Sequence, residues 1–157
     1  MADGHGVSRR RFLGQSVGLG TAAVAAPYFV PSSAMGAKGK GPNDKINVGL
    51  IGCGNRGTGA AAQFLGAHKA NQLVAVADIF EERLDRSMQK LQSQRKEQVQ
   101  VNDDHRFVGL DGWRHVIESD ADVILIACAS KFHPMYTLAA LEAGKHVFCE
   151  KPHAIDA

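Results

Sequence analysis

A chain of 157 residues that is 45% hydrophobic and 22% charged carries enough apolar material for one globular core of ordinary size, and it is neither disordered nor fibrous. Its formal net charge of +2 is small, and its basic residues are scattered rather than gathered into a stripe, so no nucleic-acid partner is expected. The three cysteines, Cys53, Cys128 and Cys149, form no CxxC pair, which argues for small buried hydrophobes and against a disulfide framework or a metal site; a redox or nucleophilic thiol is the alternative.

Residues 1–35 read as an address rather than as fold. An Arg9-Arg10-Arg11 cluster precedes a mildly apolar stretch from Phe12 to Val30 and then small residues suited to a signal peptidase near Ala34. The run Ser8-Arg9-Arg10-Arg11-Phe12-Leu13 resembles a twin-arginine export signal, with Gly14 where a lysine is common. The expectation is therefore a periplasmic or otherwise extracytoplasmic protein with the twin-arginine machinery as a partner. An uncleaved membrane anchor is the alternative, although Gln15, Ser16, Pro27 and the glycines weaken a span that is close to the minimum of about 17 residues. Residues 36–45, rich in Gly and Lys, read as a linker, and the folded domain is expected over 46–157.

From Ile46 the pattern is regular. Ile46–Ile51 is a short apolar run with the character of a strand buried on both faces, followed by Gly52-Cys53-Gly54-Asn55-Arg56-Gly57 and an Ala-rich helix over 58–68. Leu73–Ala77 is the next strand, closed by Asp78. A helix over 81–95 carries Leu84, Met88 and Leu91 on one face. Val99–Val101 reads as a short strand, and Asp111 as the cap of a helix whose inward stripe is Trp113, Val116 and Ile117. Ala121–Ala127 is the clearest buried strand; a helix over 135–145 stops at Gly144, and His146–Cys149 is the last strand. Strands alternating with helices require parallel pairing, so the expected fold class is α/β, a doubly wound parallel sheet of the Rossmann kind.

The glycine turn has a chemical reason. Gly52 permits a tight turn, Gly54 lets the backbone approach a pyrophosphate, Gly57 lets the helix pack on the strand, and the helix N-terminus offers N–H groups and a positive dipole end to phosphates. A lone GxGxxG is weak evidence, but here it lies between a strand and a helix. Asp78, at the end of the following strand, is placed to accept hydrogen bonds from an adenine ribose, or else to cap the next helix. Ile79 and Phe80 offer nothing to a 2′-phosphate, so NAD is expected over NADP. Ligands bind beyond the carboxyl ends of such strands, which puts Ser130–His133, Glu150 and Lys151 on the same rim as the turn.

Together, "INVGLIGCGNRG", "EAGKHV" and "CEKP", in this order, resemble the glucose-fructose oxidoreductase, inositol dehydrogenase and rhizopine catabolism family of NAD(P)-dependent sugar oxidoreductases, over nearly all of residues 45–157. The resemblance implies that Gly52, Gly54, Asn55, Arg56 and Gly57 hold the pyrophosphate and Asp78 the ribose, that Glu150 fixes the nicotinamide end, and that Pro152 rigidifies its turn through a cis bond. It implies that Lys151 faces the hydroxyl of a sugar or polyol substrate. An amine held beside a positive nicotinamide ring is pushed toward its proton-accepting form, which suits that role; an ordinary solvated lysine is the alternative. Cys128-Ala129-Ser130 stand where the family commonly has Thr-Pro-Asn or Thr-Pro-Asp, while His133 matches the family's histidine and is otherwise a residue of a helix N-terminus.

Family members carry a second α/β domain that binds the sugar and mediates homo-oligomer contacts. The chain reaches Ala157 before a sixth strand, so the expectation is the N-terminal part of a longer enzyme. Exported relatives that act as NAD-dependent glycosidases, by oxidation, elimination and reduction, supply a second reading, and a non-catalytic dinucleotide-binding module a third.

Overall fold

The computed structural model describes residues 45–155; the leader and most of the linker expected over 1–45 lie outside the described residues. Five strands form one sheet: β1 (Asn47–Ile51), β2 (Gln72–Asp78), β3 (Arg106–Val108), β4 (Val123–Ile126) and β5 (His146–Cys149). Four helices connect them: α1 (Asn55–Ala67), α2 (Glu81–Arg95), α3 (Gly112–Glu118) and α4 (His133–Glu142). All pairings are parallel and the order is β3-β2-β1-β4-β5. The chain therefore winds outward from β1 in one direction, returns, and winds in the other, so that the carboxyl ends of β1 and β4 part at a crevice.

Alternation along the strands feeds two cores. Val48 and Leu50 of β1 and Leu73 and Val76 of β2 pack with Ala61 and Leu65 of α1 and with Leu84, Met88 and Leu91 of α2. Ile51, Ala75, Ala77, Ile124 and Ile126 face the other way, onto Trp113, Val116 and Ile117 of α3 and Tyr136 and Ala140 of α4. With both faces covered, the central strands read as continuous apolar runs. A register shift between Val48 and Gly49 interrupts the β1–β2 ladder.

The structure departs from the sequence reading in four places. Val99–Val101 is not a strand: Val99 makes a single bridge to Leu73, and Val99 and Val101 pack instead against the core beneath α1 and α2. The third strand is Arg106–Val108, three residues paired with β2 on one side only, too short for alternation to register. Asp111 precedes α3 without a side-chain capping bond; its carboxylate lies 3.6 Å from Arg114 instead. Helix α1 also begins earlier than expected, at Asn55, so the second half of the glycine motif is its first turn. The expected glycine stop after α4 is present: Gly144 has φ +72°, and the Gly144 and Lys145 amides donate back to Leu141 and Ala140.

Leu50 of β1 is fully buried. Leu50→Ala removes its methyl groups from a core that can close only partly, and is expected to cost about 2–5 kcal/mol of unfolding free energy in urea titration.

Candidate dinucleotide-binding site

The site is built from the turn after β1. Gly52 has φ +97°, and a Cβ there would stand 2.6 Å from the backbone of Ala127 and Cys128, so neither conformation nor space admits a side chain. At Gly57 a Cβ would come within 1.8 Å of the Gly52 carbonyl oxygen, which makes glycine the condition for α1 starting where it does. Gly54 is different. Its φ of −67° and ψ of −179° are open to any residue, and a Cβ would meet nothing within 4 Å. The protein's own packing does not require glycine at 54, whereas a phosphate approaching the backbone at the start of α1 does.

Asp78 fixes the turn from the end of β2. One carboxylate oxygen accepts the Cys53 amide at 2.7 Å, the other the Phe80 amide at 2.9 Å. Helix α2 begins at Glu81 without a side-chain cap, so Asp78 shapes the loop rather than capping that helix, and a carboxylate so engaged retains acceptor capacity for hydroxyl donors. The Gly52 amide donates to Ala77 at 2.8 Å, and the hydroxyls of Thr58 and Ser87 share a bond of 2.8 Å that ties α1 to α2.

A cleft of about 340 Å³ lies over the carboxyl ends of β1, β2 and β4. Gly52, Gly54 and Asp78 line it, and its apolar walls come from Phe80, Leu110, Trp113, Phe132 and Tyr136 among others. Tyr136 stacks between Trp113 and Phe132, with centroids 4.5 and 5.6 Å away. Burial is the chief cause that raises the Tyr136 hydroxyl's pKa. Sequence reasoning placed Trp113 in the core stripe and gave Tyr136 no role; only the fold reveals that both also wall the cleft. A second, polar cavity of about 610 Å³ adjoins the first, lined by Asn55, Thr58, Ser87 and the cations Arg83, Arg86 and Lys90; Gly54 and Arg83 border both.

The remaining residues of the expected site lie around this cleft without lining it. Arg56, exposed on the first turn of α1, reaches the buried carboxylate of Glu150 after β5: Nη2 lies 2.5 Å from Oε1. The Arg56 guanidinium is the main cause holding the Glu150 carboxyl below its ordinary pKa, against the opposing effect of burial, and Lys151 adds to the lowering. Lys151 itself is exposed, and its bond to Pro152 is cis. Ser130 is half-buried in a single 3-10 turn. His133 is 1% exposed, with Nδ1 2.8 Å from the Pro152 carbonyl and Nε2 3.1 Å from that of Cys128. Burial pushes the Cys53 thiol up to about 12, with the Asp78 charge adding to it, and the Cys128 thiol up to about 11. Among the described residues, no group of three His, Cys, Asp or Glu side chains could hold a metal, and no helix is long and apolar enough to cross a membrane.

An open glycine turn, a helix N-terminus and an acid at the end of β2, on a doubly wound parallel sheet, define a dinucleotide-binding Rossmann domain. The family model described as "Oxidoreductase family, NAD-binding Rossmann fold" matches residues 46–157, and the chain belongs to that family, the Gfo/Idh/MocA oxidoreductases. It is 29% identical over 112 residues to an inositol 2-dehydrogenase of Salmonella typhimurium, covering 71% of this chain and 30% of that protein. To a glycosyl hydrolase family 109 protein of Shewanella baltica it is 28% identical over 165 aligned positions, covering 96% of this chain and 35% of the relative. The crystal structure of scyllo-inositol dehydrogenase from Lactobacillus casei with NAD(H) and scyllo-inositol is 26% identical, with a TM-score of 0.56 over 71% of this chain and 29% of that one. The chain thus spans about a third of the length of the relatives it matches.

Two glycine variants separate binding from folding. Gly54→Val is expected to leave the unfolding transition close to wild type and abolish dinucleotide binding in a fluorescence titration, whereas Gly57→Ala, forced against a backbone carbonyl, is expected to destabilise the domain.

Proposed function

We propose that this chain is the nucleotide-binding part of an exported NAD-dependent oxidoreductase that acts on a hydroxyl of a sugar or polyol. The observation that supports this most directly is the Arg56–Glu150 contact, which ties the loop bearing Lys151 to the first turn of α1. The chemistry-bearing lysine therefore leaves the sheet at the same rim as the pyrophosphate cradle. NAD, when bound, supplies the hydride acceptor and donor. The backbone amides at the start of α1 hold its phosphates, Asp78 accepts from the ribose hydroxyls, and the apolar walls of the cleft exclude water. Lys151 Nζ takes the proton from the substrate hydroxyl, or returns it in the reverse direction.

NAD is preferred over NADP in this reading, because the Asp78 carboxylate repels a 2′-phosphate. Arg83, stacked 4.8 Å over the Phe80 ring and bordering both cavities, is the cation that sets how much NADP is tolerated.

A second reading, an NAD-dependent glycosidase with no net redox change, draws support from the extent of one likeness. The match to the family 109 relative covers 96% of this chain and so runs into the first 44 residues, whereas the inositol dehydrogenase match covers 71%. Both readings are tested in the protein as its gene encodes it, with a panel of polyols, sugars and aryl glycosides. Dehydrogenase action gives NADH and a ketone in equal amounts, and glycosidase action gives free sugar without NADH. In either case Lys151→Ala is expected to lower turnover roughly 10²–10⁴-fold with dinucleotide affinity unchanged; undiminished turnover would remove Lys151 from the mechanism. Dinucleotide binding with no turnover of any substrate would leave a binding module.

The twin-arginine reading of residues 1–35 is part of the proposal and rests on the Arg9-Arg10-Arg11 run. Changing Arg9 and Arg10 to Lys is expected to trap the protein in the cytoplasm of a fractionated cell. Export unaffected by the change would rule that route out.

A further inference from the structure

The two loops that carry the candidate chemistry, one after β4 and one after β5, are joined by a single buried side chain. His133 opens α4, is 1% exposed, and is absent from the lining of both cavities described above, so it does not face the dinucleotide cleft. Its ring lies between two carbonyl oxygens, Pro152 O at 2.8 Å from Nδ1 and Cys128 O at 3.1 Å from Nε2. Both partners are acceptors only. A ring nitrogen must carry a proton to bond either of them, and the shorter contact assigns that proton to Nδ1.

The Pro152 carbonyl belongs to the residue next to Lys151, in a stretch where Lys151, Pro152 and His153 are exposed and no strand or helix orders the backbone. Upstream, the Glu150 amide is held by Ile126 O at 2.9 Å and the Glu150 carboxylate by Arg56. The His133 bond fixes the chain on the other side of Lys151. With Glu150 anchored before it and Pro152 after it, the Lys151 backbone is pinned at both ends while its side chain remains free.

We propose that His133 is a positioning residue: its Nδ1–H, donated to the Pro152 carbonyl, holds the Lys151 loop in register with the dinucleotide cleft, and the ring touches neither cofactor nor substrate. The proposal rests on the reading of Lys151 as the proton carrier, and it says which interaction sets that lysine's place.

Three substitutions distinguish this from simple filling of space. His133→Asn keeps an N–H close to the position of Nδ1; His133→Gln places one close to Nε2; His133→Phe keeps the ring's bulk and donates nothing. The full chain of each is compared with wild type by thermal unfolding, by ¹⁵N relaxation of the Lys151 and His153 amides, and by dinucleotide titration; kcat and KM are measured in the full-length enzyme. The expected result is that Asn keeps both amides ordered and kcat close to wild type, while Gln and Phe loosen them and lower kcat by roughly ten- to a hundredfold, with dinucleotide affinity unchanged. Equal behaviour of Asn and Gln, or a Phe variant whose amides stay as ordered as in wild type, overturns the proposal. If the Phe variant does not fold, the contrast between Asn and Gln decides. Failure of the wild type to bind dinucleotide would count against the function proposed above, while the relaxation measurement would still judge the brace.

Discussion

The structure depends on how closely α1 approaches the turn that precedes it. The hydrogen of Gly57 lies where any larger atom would strike the Gly52 carbonyl, and Gly52 in turn lies against the backbone of Ala127 and Cys128. From this one contact the other relations follow. The turn is tied to β2 through the Gly52 and Cys53 amides, to β4 through the crowding at Ala127, and to β5 through Arg56 and Glu150. Four parallel strands thus end at one point, and the dinucleotide site is the surface they leave there. The parallel sheet makes this convergence possible, because only strands running the same way bring all their carboxyl ends to one rim.

The site divides into a part made of backbone and a part made of side chains. The backbone part is the turn, the start of α1 and the loop held by Asp78. Its shape is held by bonds within the protein, among them those of the Gly52, Cys53 and Thr58 amides, while the other amides at the start of α1 have no partner inside the helix and are left to meet a ligand. The side-chain part proposed above is Lys151 with Glu150 and Arg56, where an exposed lysine follows the buried Glu150 in a stretch that stays exposed through His153. In the function proposed above, binding falls to the backbone of the turn and proton transfer to an exposed side chain. The three glycines differ in what requires them: Gly52 and Gly57 are demanded by the fold, whereas the fold leaves Gly54 open.

Much of this was legible in the sequence because the determinants are local. Buried parallel strands announce themselves as apolar runs, as in Leu73–Ala77 and the centre of Ala121–Ala127, and glycine at 52, 54 and 57 carries its meaning in its spacing. Gly144 ended its helix as expected for the same reason. What escaped notice depended on pairing at a distance. The three residues of β3 are a strand only because β2 supplies a partner, and Val99 and Val101 look like a strand but are used as packing. The aromatic wall of Trp113, Phe132 and Tyr136 comes from two helices and a turn separated in sequence. The basic lining of the second cavity comes from cations spaced along one helix, a pattern indistinguishable from a solvated face until α1 is packed beside it.

Cys53 stands between the first two glycines of the turn, where it is buried. A thiol reacts as its thiolate, and burial, aided by the Asp78 carboxylate, favours the protonated form of this one. Cys128, on the neighbouring rim, is similarly shifted. Burial, with the Asp78 charge adding to it, thus disfavours the reactive thiolate at the centre of the turn that the same carboxylate shapes.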